Sequence, residues 1–254
     1  MKASHLLASV TVLTLAAVPA MCSSALFTSV APNPSNGSQP LDATALFSLT
    51  GNQLTIEVTN KATGNPQAYV DSDVLTGLYF SSAPVNLTPE SATAARMVDP
   101  AGNNVCLANC DAGDGWEYRA LGVGDGILTN GIFAVQTPKF LFSNFGATST
   151  KLGGTGYAIV PGDYSNAHGS SLADPVYSAG SATFTMMVPN AFTLATIDHI
   201  TFVWGTSAND PFQSANLTFF DPLDAPEPST WILIPAGMAL VLTLRRRSLH
   251  STKR

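Results

Sequence analysis

Short runs in which apolar and polar residues alternate, separated by turn-forming clusters, constrain this chain more than any other feature. Leu54-Thr55-Ile56-Glu57-Val58-Thr59 puts Leu, Ile and Val on one side and Thr, Glu and Thr on the other. A period of two matches a pleated strand with one face in a core and one toward water. Phe184-Thr185-Met186-Met187-Val188 and Ile200-Thr201-Phe202-Val203-Trp204 keep that period in part. Further strand-like runs are Val74–Phe80, Ile127–Gln136, Lys139–Phe142, Tyr157–Val160 and Leu217–Phe220. Between them stand Gly64-Asn65-Pro66, Pro100-Ala101-Gly102-Asn103 and Pro161-Gly162-Asp163, residue types that turn a chain. One stretch competes as a helix: Pro89–Met97, two turns after Thr88. Eight or more short strands of this kind predict an all-β fold, a single antiparallel, jelly-roll-like β-sandwich.

The two ends read differently from this body. Met1-Lys2 and the apolar-rich Leu6–Val18 stretch have the form of a secretory signal peptide. Cleavage after Ala20, with Val18 at −3, and after Ala25, with Ser23 at −3, both satisfy the small-residue rule. Pro19-Ala20-Met21-Cys22 is a poor lipidation site, because Met stands where a small residue is needed. At the other end, Trp231–Leu244 is 14 residues without a charge. As a helix it is about 21 Å long. A bilayer core of about 30 Å asks for roughly 20 residues. Pro235 and Gly237 weaken the helix further. Arg245-Arg246-Arg247 follows at once, offsets part of the mismatch by snorkelling, and keeps that side cytoplasmic. A short, broken span suits a temporary stop.

Ahead of the span, Pro226-Glu227-Pro228 fixes two backbone angles and favours extended, accessible backbone around one carboxylate. Ala225-Pro226-Glu227-Pro228-Ser229-Thr230-Trp231, the apolar run and Arg245-Arg246-Arg247 together resemble the PEP-CTERM sorting signal. The resemblance implies handling by exosortase, a membrane transpeptidase-like protease. It implies cleavage near the motif and transfer to the cell surface or extracellular matrix. In the body, Leu54–Asn60, Asp73–Phe80, Gly115-Trp116-Glu117-Tyr118-Arg119 and Phe202-Val203-Trp204-Gly205-Thr206 resemble a loose group of exosortase-dependent surface proteins of uncharacterised function. That likeness implies a β-rich surface protein without a known catalytic set.

Charge separates the body from its ends. Residues 26–228 carry 17 acidic and five basic side chains, a net of −12, where the whole chain has −6. An acidic body disfavours nucleic acid and anionic lipid surfaces as partners. About 200 residues with plentiful apolar side chains are enough for one core. If Cys22 leaves with the signal peptide, Cys106 and Cys110 are an isolated pair with three residues between them. In an oxidising compartment a local disulfide is the favoured reading, and a metal pair lacks any His nearby in sequence.

Chemistry-bearing patterns are sparse. His168, with Ser170 or Ser171 and Asp174, occupies a polar loop, and His199 follows Asp198 in a strand-like run; no Gly-x-Ser-x-Gly elbow is present. Asp111, Asp114 and Glu117, or Asp71 with Asp73, are the carboxylates a glycosidase reading would need. Asp111-Ala112-Gly113-Asp114-Gly115 reads first as a tight turn and second as a weak calcium site, without the EF-hand closing carboxylate. Trp116 and Tyr118 are candidates for stacking on sugar, against a core role for Trp116; Trp204 reads as core. No catalytic set, metal site or cofactor is predicted.

The expected organisation is a signal peptide over 1–25, an ectodomain over 26–220 with a loosely held lead-in over 26–45, and a Pro-rich linker over 221–230. A transmembrane helix with its Arg stop covers 231–247 and a cytoplasmic tail 248–254. The expected role is that of an exported structural or adhesive surface or matrix protein, held in the inner membrane before processing. Its expected partners are an exosortase-type enzyme and extracellular polysaccharide. The alternative is a secreted polysaccharide-binding module or glycan hydrolase.

Overall fold

A computed structural model describes residues 22–33, 40–63, 71–82, 87–120, 130–134, 156–164, 176–205 and 212–224. The sorting residues Pro226, Glu227, Pro228, Arg245, Arg246 and Arg247, the apolar run Trp231–Leu244 and residues 1–21 lie outside the described residues. No helix among the described residues is long and apolar enough to cross a membrane.

Every regular element in this part is a strand or a short 3-10 turn, so the body is all-β. In chain order the strands are β1 (Cys22–Ala31), β2 (Leu41–Thr50), β3 (Gln53–Asn60), β4 (Leu75–Ser81), β5 (Thr88–Ala94), β6 (Met97–Val98), β7 (Asn104–Cys106) and β8 (Cys110–Asp111). They continue as β9 (Trp116–Ala120), β10 (Asn130–Ala134), β11 (Ile159–Val160), β12 (Tyr177–Ala179), β13 (Ser181–Met187), β14 (Asp198–Trp204), β15 (Phe212–Ser214) and β16 (Asn216–Asp224). The first sheet runs β16-β1-β2-β3-β13-β5-β8. The second runs β15-β14-β4-β11-β12-β6-β7, with β10 joining β4 to β9.

The alternation seen in sequence sets the faces. Leu41, Ala43, Ala45 and Phe47 of β2 point inward, as do Leu54, Ile56 and Val58 of β3 and Ala182, Phe184 and Met186 of β13. From the second sheet come Leu78, Phe80, Ile132, Phe202 and Trp204. All belong to one hydrophobic cluster. Phe47 stacks edge-on against Phe27 and against Phe80, at 5.5 Å each, so a line of rings runs from β1 through β2 to the other sheet. Edge-to-face contact adds to simple burial in such pairs.

The second sheet is buried on both faces around β4 and β10. Phe133 lies directly across from Gly77 and two residues along from Gly131. A Cβ on Gly131 would stand 2.3 Å from the Phe133 ring, and one on Gly77 2.9 Å from it. The two glycines leave the floor on which this ring and Tyr79 (4.7 Å away, edge-on) sit.

Three expectations are corrected. Of the lead-in expected over 26–45, residues 26–31 and 41–45 are not loose: β1 pairs with β2 along all of Cys22–Ala31, and β2 begins at Leu41, while 34–39 lie outside the described residues. Pro89–Met97 is not helical. Ser91-Ala92-Thr93-Ala94 alternates between half-buried and buried, and β5 pairs with β13 and β8. Its Pro89 sits at a register shift of the ladder, where a residue without an N–H is tolerated. Finally, the second sheet is not wholly antiparallel, because β11 and β12 pair in parallel. A parallel pair needs a crossover connection of a dozen or more residues, and Pro161–Val176 is long enough to supply one.

Candidate functional site

The described residues that carry the most chemistry cluster where the chain changes sheets between β5 and β9. β5 belongs to the first sheet, β6 and β7 to the second, and β8 returns to the first. The β6–β7 hairpin turns at Asp99–Asn103, where Gly102 takes φ +80°. Asp99 accepts hydrogen bonds from the Asn103 side chain (2.9 Å) and backbone N–H (2.8 Å), which hold its carboxyl below the ordinary value.

Cys106 ends β7 and Cys110 opens β8, and the two form a disulfide with Cα atoms 5.9 Å apart. The bridge is local in sequence, yet it joins the edge strand of one sheet to the edge strand of the other. Asn109, at φ +48°, closes the loop beneath it. Cys110 is in the core, while Val105 of β7 and Leu107 just beyond it are 57% and 70% exposed. Arg96 ties the hairpin to its surroundings, donating to Asn104 Oδ1 (3.1 Å) and to the Gly162 carbonyl (2.7 Å).

The acidic stretch that follows is a turn. Asp111 Oδ1 accepts from the Gly113 N–H at 2.9 Å, and Gly113–Gly115 makes one 3-10 turn. Gly115 must lack a side chain, because a Cβ there would stand 2.1 Å from the Tyr157 ring. Tyr157 itself takes φ +63°, outside the usual range of a bulky residue. Its phenol is pushed up by burial and by the negative charges of Asp114 and Asp111. The structure thus brings Asp111, Asp114 and Tyr157 together. Among the described residues no group of three or more His, Cys, Asp or Glu is placed to hold a metal ion.

Beyond the turn, β9 sends alternate residues to opposite faces. Trp116 is 1% exposed and meets Phe184 of the first sheet edge-on at 4.9 Å. This is the core role, so Trp116 offers no surface for stacking on sugar. Tyr118 is half-buried and donates from its hydroxyl to Asn130 Oδ1 at 2.7 Å; burial pushes its phenol up to about 12. Glu117, on the opposite face, is buried and receives Arg119 Nε at 2.7 Å and Nη2 at 3.3 Å. The charge-assisted contact with Arg119 holds this carboxylate in place.

His168, Ser170, Ser171 and Asp174 lie outside the described residues. His199 is exposed, at φ +50°, with Nδ1 3.0 Å from Asp198 Oδ1. Asp73 is fully buried and accepts from Asn33 Nδ2. Tyr157 is the residue sequence reasoning did not single out; its only signal was a place in a strand-like run, and its backbone angle has no trace in residue type. Comparison of the chain with protein-family models, with curated proteins and with solved structures gives no match.

Proposed function

We propose that this chain is an exported bacterial surface or extracellular-matrix protein, structural or adhesive in role, delivered by an exosortase-type membrane enzyme. The observation that carries this reading is the order of the tail: Pro226-Glu227-Pro228, then Trp231–Leu244 without a charge, then Arg245-Arg246-Arg247. Recognition falls to the Pro-Glu-Pro segment, membrane retention to the apolar run and the cytoplasmic stop to the arginines. The last paired residue of the body, Asp224, precedes Pro226 by two positions, so the motif follows directly on the end of β16. Asp224 is also a register partner of Cys22. The chain therefore enters and leaves the body at the same end of one strand pair.

In this reading the two sheets are the faces of a single jelly-roll-like sandwich, supported by their shared hydrophobic cluster and by the Phe47–Phe80 and Trp116–Phe184 contacts. The alternative of a polysaccharide-binding module or glycan hydrolase has less support, because Trp116 is core and Glu117 is engaged by Arg119. The test is the intact mass of the protein from the envelope and medium of its native host. A C-terminus near Pro226–Ser229 is expected, and a chain still ending at Arg254 would overturn the sorting reading.

A further inference from the structure

We infer that the exported chain is cut between Ala20 and Met21, and that Met21–Ala25 remains as the start of the mature fold. The inference rests on the export reading above. The sequence leaves two acceptable cuts, after Ala20 and after Ala25, and the sheet distinguishes them. β1 starts at Cys22 and pairs residue for residue with β2, from Cys22 opposite Thr50 to Ala31 opposite Leu41. A cut after Ala25 would delete the first four of those ten pairs. It would also remove Ala25, which is 1% exposed in the core and faces Phe47 across the ladder.

The loss would not stop at β1. Among the described residues β16 lies at the edge of its sheet, with β1 as its one partner strand. Its final residues are held by the stretch in question: Cys22 opposite Asp224, Ser24 opposite Asp221 and Ala25 opposite Phe220. Without Cys22–Ala25, residues 220–224 would have no ladder partner, and the strand leading into Pro226-Glu227-Pro228 would be left unpaired. The reaction is hydrolysis of the Ala20–Met21 amide by a membrane signal peptidase. Water adds across the bond, leaving a carboxylate on Ala20 and an ammonium on Met21. Small Val18 and Ala20 fill the −3 and −1 positions. The mature chain then keeps all three cysteines, where a cut after Ala25 would leave two.

The test is N-terminal sequencing and intact mass of protein exported from the full-length gene. A start of Met21-Cys22-Ser23 is expected. A start at Leu26 would overturn the inference and leave the export reading standing, and so would a lipid-modified Cys22 at the N-terminus. Retention of Met1 would sink both. Two variants sharpen the result. Ala20→Leu puts a large residue at −1, and loss of the Met21 product with build-up of precursor is expected. Ser23→Leu spoils −3 for the other cut only, on a half-exposed position of β1, and an unchanged Met21 start is expected. Normal processing of Ala20→Leu, or a lost cut in Ser23→Leu, would refute the assignment.

Discussion

Asn60 closes a polar gap between the two sheets. It is buried at the end of β3, and its Nδ2 donates to the carbonyls of Asp73 and Ile159 at 2.9 Å each. Its Oδ1 accepts from the Ala62 N–H at 3.1 Å. Removing the amide strands these backbone groups away from water, where each unpaired group costs about 1–3 kcal/mol. Asn60→Ala is expected to lose about 3 kcal/mol of stability, read by denaturant unfolding; a loss near zero would mean water replaces the side chain. Tyr118 supports a pH prediction. Its folded-state value, about 12, is raised above the ordinary 10, so its contribution is full below pH 10 and fades as pH climbs toward 12. Unfolding midpoints measured across that window are expected to fall more steeply for the wild type than for Tyr118→Phe. At this scale the sequence marked Trp204 as core, because large apolar rings have few other places to go, and left Trp116 between core and sugar stacking until the structure buried it. Asn60 and Tyr157 were not legible: the partners of one and the backbone angle of the other are set by segments remote in sequence.

Five of the strands were legible as apolar, strand-like runs, of which Leu54–Thr59 alternates strictly. β3, β4, β13, β14 and β16 fall within a few residues of the runs Leu54–Thr59, Val74–Phe80, Phe184–Val188, Ile200–Trp204 and Leu217–Phe220. The two-residue connection Gly51-Asn52 between β2 and β3, with Gly51 at φ +58°, follows the usual hairpin chemistry. β5 was missed because alanine favours helix in isolation, and pairing on both sides overrides that preference. The disulfide shows what spacing hides. Closing so short a loop restricts the unfolded chain by about 2 kcal/mol on the chain-entropy relation. Replacing both cysteines by alanine is expected to cost about that much, or roughly 4–8 °C of melting temperature for a body this size. Calorimetry on the double variant decides it. A much larger loss would mean that the bridge also holds the two sheets together in the native state.

At the scale of the whole molecule, an acidic body of net −12 is joined to basic ends, and the proposed C-terminal sorting depends on the tail. Glu227→Gln, and separately deletion of Arg245–Arg247, are expected to reduce C-terminal processing by tenfold or more, with unprocessed chain collecting in the membrane fraction. Surface yield and intact mass check this, and normal maturation of both variants would count against the proposal. These changes lie beyond the described body, so the thermal unfolding of the purified body is expected to stay the same. The sequence by itself determined the all-β class, the inward-facing Leu54, Ile56 and Val58 of the strictly alternating run and the turn at Pro100–Asn103, because each depends on neighbours within a few residues. Only the tertiary structure decided which strand lies beside which, the parallel pairing of β11 with β12, the disulfide's reach from one sheet to the other and the coupling of Cys22 to Asp224. Those depend on contacts between residues far apart in the chain, and a local pattern of apolar and polar side chains carries no record of which distant partner each strand meets.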